Sequence, residues 1–177
     1  MSMREIPVAD FEGEWRKLYD SVFNGALVPH RPFRNETWEA FLFPYSLYME
    51  EDVFAAIGAA ARQQGDDECV IWNAEVLVPE PGATIPWSHD ALDQARCTVL
   101  GHFETHLFGR SGSWGMACCS VHDFSRLGGA ASFMDVIAGT LGGRHSIRQR
   151  FLSFLESYEW MPESVRGRIL QDVGWTP

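Results

Sequence analysis

The feature that most limits what this chain can fold into is a change of hydrophobic period near its middle. From Glu68 onward, Val70, Trp72, Ala74, Val76 and Val78 alternate with Cys69, Asn73 and Glu75. That two-residue repeat is the pattern of a half-buried strand. On either side of the central region apolar residues recur every three or four positions, as amphipathic helices require. Before the change, Trp15, Leu18, Tyr19 and Val22 predict a helix over about 11–24, with Asp10 as its cap and Gly25 as its end. Val53, Phe54, Ile57 and Ala61 predict a second helix over about 51–63, stopped by Gly65 and begun by Glu50, Glu51 and Asp52, whose charges suit a positive helix end. Between the two, Pro29, Pro32 and Pro44 surround Trp38, Phe41 and Leu42 and read as a loop with a short helix opening near Asn35.

Pro79, Pro81 and Pro86 close the first strand, and the segment from Ser88 to Arg96 admits one or two helical turns. A second strand is expected over 98–108, with Val99, Phe103 and Leu107 on one face and His102, Glu104 and His106 on the other. Gly109-Arg110-Ser111-Gly112-Ser113 then reverses the chain into a strand over 114–121, and His122-Asp123 turns it into another over 124–127. Three further helices follow, patterned by Phe133 to Leu141, Ile147 to Tyr158 and Val165 to Val173. Helices therefore flank one run of strands, which defines an α+β fold. The expectation is a single domain over residues 1–177 with an antiparallel sheet of three to five strands, about 68–78, 98–108, 114–121 and 124–127.

With 46% hydrophobic and 13% aromatic residues in 177, the chain can bury a continuous core without disulfides. Cys69, Cys97, Cys118 and Cys119 show no C-x-x-C spacing and read as buried, reduced thiols. The N-terminal residues lack the apolar stretch of a secretory signal, and no run nears the roughly 20 apolar residues of a membrane helix. A cytoplasmic location is the resulting expectation. The formal charge is −10, and residues 1–80 hold 15 acids against 6 bases while residues 81–177 hold 9 against 8. Such a field repels nucleic acid and anionic membranes and favours encounter with a basic protein, although it also serves solubility.

Several groups bear on chemistry. On a strand, alternate residues project together, so His102, Glu104 and His106 could offer two imidazoles and a carboxylate to a divalent metal. The same residues also suit a solvent-facing polar stripe on a half-exposed sheet. The glycines and serines of 109–113 are turn formers, and the spacing departs from a G-x-S-x-G nucleophile elbow. Cys118 and Cys119 lie among Trp114, Met116, Ala117 and Val121, which favours inert packing over nucleophilic chemistry. Gly128-Gly129 and Gly142-Gly143 read as helix entry and exit, without the pattern of a phosphate loop. Arg144, Arg148 and Arg150 read as a solvated face. Asp66, Asp67 and Glu68 follow a helix C-terminus, where the helix dipole disfavours negative charge. Either they guard the adjacent strand against edge pairing or they present an acidic patch. Trp87, in Pro86-Trp87-Ser88-His89-Asp90, is either core or an exposed anchor beside acids.

The segment Gly109–Met134, with Ser113-Trp114-Gly115, Asp123-Phe124, Leu127-Gly128-Gly129 and Phe133-Met134, resembles a pattern in small acidic immunity proteins of bacterial polymorphic and contact-dependent toxin systems. Its residues are scaffold features: Gly115 permits close packing, Trp114 covers the sheet, and Gly128-Gly129 leads into the helix that buries Phe133. The resemblance implies a protein that is not an enzyme, carries no cofactor, and binds and blocks a cognate toxin. On this reading Glu50, Glu51, Asp52, Asp66, Asp67, Glu68, Trp87 and Asp90 would meet a basic toxin. The competing expectation is a metal-dependent enzyme using His102, Glu104 and His106.

Overall fold

The computed structural model describes residues 3–7, 10–25, 30–74, 82–98 and 104–175, with backbone alone at residues 11 and 12. Its seven strands, all antiparallel, are β1 (Arg4–Glu5), β2 (Glu39–Pro44), β3 (Glu68–Asn73), β4 (Ala83–Pro86), β5 (Thr105–Phe108), β6 (Trp114–Cys119) and β7 (Phe124–Gly129). They lie in the order β1-β4-β3-β5-β6-β7-β2. The six α-helices among the described residues are α1 (Arg16–Val22), α2 (Glu51–Gln63), α3 (His89–Arg96), α4 (Ala131–Thr140), α5 (Arg144–Ser157) and α6 (Glu163–Asp172). A wide turn over Phe11–Trp15, broken at Gly13, leads into α1. No helix among the described residues is long and apolar enough to cross a membrane.

The α+β class is as expected, but the sheet is larger than three to five strands. The missing members are β1, β2 and β4. In β2 the run Phe41-Leu42-Phe43 is buried on both faces, so it has no alternation to betray a strand, and the expected short helix is absent there. In β4 only Ala83, Thr84 and Ile85 precede Pro86, which closes the strand opposite Glu68. The strand expected over 98–108 is seen as Thr105–Phe108. Thr98 instead bonds back to Ala95 at the end of α3, and 99–103 lie outside the described residues. Similarly β3 ends at Asn73, and 75–81 lie outside them.

The sheet is covered on both sides, which overturns the half-buried reading of its strands. One face puts Phe41, Ile71, Ile85, Leu107, Met116 and Leu127 against α2, α3 and α4 in a single core. The other face carries two separate cores. Val70, Trp72 and Phe108 meet Tyr19, Val22, Phe23 and Phe33 from the N-terminal segment. Leu42, Ala117, Cys119 and Phe124 meet Phe151, Phe154, Leu155 and Ile169 of α5 and α6. Between these two cores, one row across the sheet runs Trp72, His106, Ala117, Arg126, Leu42. It places two polar side chains, His106 and Arg126, inside the molecule. Asp172 of α6 meets the Arg126 guanidinium at 3.3 Å.

Gly128-Gly129 end β7, and α4, which buries Phe133, opens at Ala131 just after them as expected, but the two glycines themselves are paired strand. Gly115 and Gly128 face each other across β6 and β7, and the rings of Phe23 and Phe33 fill the space their absent side chains leave. A Cβ at Gly128 would stand 2.4 Å from a Phe33 ring carbon, and one at Gly115 would stand 2.6 Å from Val22. Gly128→Ala is therefore expected to lower the unfolding free energy by about 1–3 kcal/mol, the cost of overfilling a packed core, read as a shift in the urea midpoint.

Candidate interaction surface

Asp66 occupies the point where α2 ends and β3 begins. Its side chain is buried and accepts three hydrogen bonds: from Ser111 N at 2.8 Å, Ser111 Oγ at 2.6 Å and Trp114 Nε1 at 2.8 Å. Its carbonyl accepts a fourth, from Trp87 Nε1 at 2.9 Å. These bonds offset the unfavourable position of a carboxylate after a helix C-terminus. Asp66 is thus a buried tie between α2 and the β5–β6 turn, its carboxylate taken up by Ser111 and Trp114. Because β3 lies inside the sheet between β4 and β5, the acids before it guard no edge.

Trp87, half-buried, packs between Phe54 and Trp114, with ring centroids 5.2 and 5.6 Å away. It is a core residue and does not project as an anchor. Trp114 stacks on Phe133 at 5.4 Å with the rings nearly parallel. The remaining predicted acids divide by their partners. Glu50 and Asp52 meet Arg150 of α5 at 3.4 and 2.6 Å, and Glu68 meets Arg4 at 2.7 Å. Glu51, Asp67 and Asp90 are exposed and have no ion pair among the described residues. A shallow recess of about 360 Å³ is lined by Arg4, Gly65, Asp66, Asp67, Glu68 and Arg110. Its two arginines balance much of its acidity, and Arg110 also lies over the Trp15 ring, 4.4 Å from the centroid. Among the described residues, the region from 50 to 90 is therefore a set of separated acids without ion pairs among paired ones, and no continuous acidic face.

Of the expected metal-binding set, His102 lies outside the described residues. Glu104 and His106 are buried, so the solvent-facing stripe is not what the sheet builds. His106 is clamped between aromatic rings: Phe23 stacks on it at 4.2 Å and the Tyr19 hydroxyl lies 2.9 Å from its Nδ1. Its Nε2 has no hydrogen-bond partner among the described residues. Burial pushes its pKa down to about 3, so the imidazole is neutral in the fold. Among the described residues no three histidine, cysteine, aspartate or glutamate side chains gather as metal ligands.

Cys69, Cys118 and Cys119 are buried thiols outside any disulfide, as expected, whereas Cys97 at the end of α3 is exposed, against the expectation. Burial pushes the Cys118 and Cys69 thiols up, away from the nucleophilic thiolate.

The residues that sequence reasoning passed over are exposed aromatics. Tyr45 follows β2, Tyr48 stands on the same loop, and Trp160 sits between α5 and α6. The available signal was local: Tyr158-Glu159-Trp160-Met161-Pro162 places two aromatics beside an acid at a helix break.

The architecture defines an α+β protein whose seven-stranded antiparallel sheet is clad by helices on both faces. Comparison of the chain with family models, with curated proteins and with solved structures gave no match.

Proposed function

We propose that this protein works by binding, as a stoichiometric inhibitor of a basic protein, in the manner of the immunity proteins that neutralise bacterial toxins. The observation that supports this reading most is the exposure of Glu51, Asp67 and Asp90 without ion-pair partners among the described residues, on a chain of formal charge −10. Charges left unpaired at the surface cost little in water and act at a distance, raising the rate at which an oppositely charged partner arrives. The local resemblance over Gly109–Met134 supports the same reading, with Trp114, Gly115 and Phe133 serving as scaffold.

The test is kinetic. The protein encoded by the adjacent reading frame, silenced in its own activity, is passed over immobilised inhibitor while salt is varied. The association rate is expected to fall steeply between 50 and 500 mM salt, because exposed charges are screened beyond roughly 10 Å at 0.1 M. The combined change Glu51→Lys, Asp67→Lys and Asp90→Lys is expected to slow association by about tenfold, with a small drop in the urea midpoint because Glu51 and Asp90 stand in the first turns of α2 and α3. Absence of any complex would remove the inhibitor reading. A complex with a salt-independent rate would remove the role given to these acids.

A further inference from the structure

We propose that the partner is anchored on an aromatic patch formed by Tyr45, Val121, Tyr158 and Trp160 over the buried ring of Phe154, and that a cationic side chain of a basic protein stacks on Trp160. The inference rests on the inhibitor reading and names its contact surface.

Trp160 is 87% exposed, Val121 71% and Tyr45 41%, although each is an apolar side chain whose burial is favourable. They do not stand alone. The Tyr45 ring lies 5.5 Å from that of Phe154, which lies 5.0 Å from that of Tyr158, and Trp160 follows two residues later. Val121 belongs to the β6–β7 turn, which Asp123 ties to the Tyr45 loop by accepting from Ser46 N at 3.0 Å.

The base of the patch is rigid. Tyr45 and Asp123 both hold left-handed backbone, with φ of 61° and 48°. Each is uncommon for a residue with a side chain, and each persists only where its surroundings fix it. Here they fix one another: Ser46 N donates to Asp123 Oδ1 at 3.0 Å, and Ser125 Oγ donates to the Tyr45 carbonyl at 3.3 Å. An aromatic side chain presented on a fixed backbone loses little freedom on binding, which is the property of an interface anchor.

Charge selects the occupant. Around the patch, Glu156, Glu159 and Glu163 of the 154–163 segment and Asp123, bonded to Ser46 N, outnumber the one arginine that reaches it among the described residues, Arg166, which donates to the Tyr158 carbonyl at 3.2 Å. A second copy of the chain would bring the same charges against these, so a basic partner is the complement. An indole face attracts a guanidinium or ammonium, as the pairing of Arg110 with Trp15 in this same molecule illustrates. Tyr48 is left out of the patch, because its ring already carries Arg96 at 5.2 Å.

The experiment measures the affinity and dissociation rate of the silenced product of the adjacent reading frame for the whole chain and for five variants, the reversal of Glu51, Asp67 and Asp90 among them. Trp160→Ala is expected to weaken binding by about 30-fold or more, chiefly through faster dissociation, the behaviour of a central anchor. Tyr45→Asn, which tolerates left-handed backbone, is expected to weaken it by roughly tenfold, and Trp160→Phe by less than Trp160→Ala because a weaker ring face remains. Glu156→Lys combined with Glu159→Lys is expected to slow association. Near-ultraviolet circular dichroism and the urea midpoint establish that each variant is folded. If the partner binds Trp160→Ala unchanged while reversal of Glu51, Asp67 and Asp90 weakens the complex, the patch is overturned and the inhibitor reading stands. If the partner binds none of the folded proteins, the inhibitor reading itself has failed.

Discussion

Asp66→Ala is expected to be among the more damaging single changes in the molecule, lowering the unfolding free energy by about 2 kcal/mol or more. The size follows from what is left behind. Trp114 Nε1, in a fully buried ring, loses its acceptor, whereas the Ser111 N–H and hydroxyl also lose theirs but belong to an exposed residue that water can reach. An unsatisfied buried donor costs roughly 1–3 kcal/mol, far more than the net worth of the bond when both partners are present. Asp66→Asn keeps the shape but turns an amide toward one of these donors, so an intermediate loss is expected. Urea denaturation of the three proteins gives that order, and equal midpoints for all three would mean that the β5–β6 turn does not depend on this carboxylate. The turn sits so close that any side chain at Gly109 would run into Asp66 Oδ2.

A second large effect concerns acid. His106 is neutral in the fold with its pKa pushed down to about 3, whereas an unfolded chain titrates near 6.5. Between those values the unfolded state holds a proton that the folded state refuses, so stability is complete above pH 6.5 and falls as the pH is lowered toward 3. Each pH unit inside the window costs about 1.4 kcal/mol, which makes the expected loss roughly 3 kcal/mol by pH 4.5 from this one ring. The neighbouring carboxylates have their own dependence on pH, so the comparison is with the double variant His106→Phe and Tyr19→Phe. That variant keeps the ring slot against Phe23 and leaves no hydroxyl seeking the lost Nδ1. The difference in urea midpoint between the two proteins should widen steadily from pH 7 to pH 4.5, and a difference that stays constant would mean that the imidazole is accessible to protons in the fold.

What could be read from the residues was decided by the range of the interaction. Helix α2 was legible because Val53, Phe54, Ile57 and Ala61 repeat locally and charged residues stand at its start, and α3 because Ser88 accepts a hydrogen bond from Ala91 N. The hairpin of β5 and β6 was legible from glycines and serines at the turn. Strands β2 and β4 were not, since Phe41-Leu42-Phe43 acquires its strand character by pairing with β7, and Thr84-Ile85 by lying between β1 and β3. The burial of His106 and Glu104 followed the same logic in reverse. Alternation showed that they share a face, but the covering of that face is supplied by Tyr19 and Phe23, far earlier in the chain. For the acids, sequence identified charge without identifying partners: Ser111 and Trp114 for Asp66, Arg150 for Asp52 and Arg4 for Glu68 all lie at long separation. Trp87 was ambiguous for the same reason, its surroundings coming from Phe54 and Trp114.

The order of the strands carries a consequence for how the chain assembles. Both borders of the sheet, β1 and β2, come from the first part of the chain, and they end up on opposite sides of strands made later. As the polypeptide emerges from the ribosome, Phe41, Leu42 and Phe43 have no ladder to join until Phe124–Gly129 has been synthesised. The hairpins β5–β6 and β6–β7 can close locally, whereas the docking of β2 must bridge a long loop and pays its closure entropy before any contact repays it. Maturation should thus end with the capture of β2, and until then an apolar edge is open to mispairing and to chaperones.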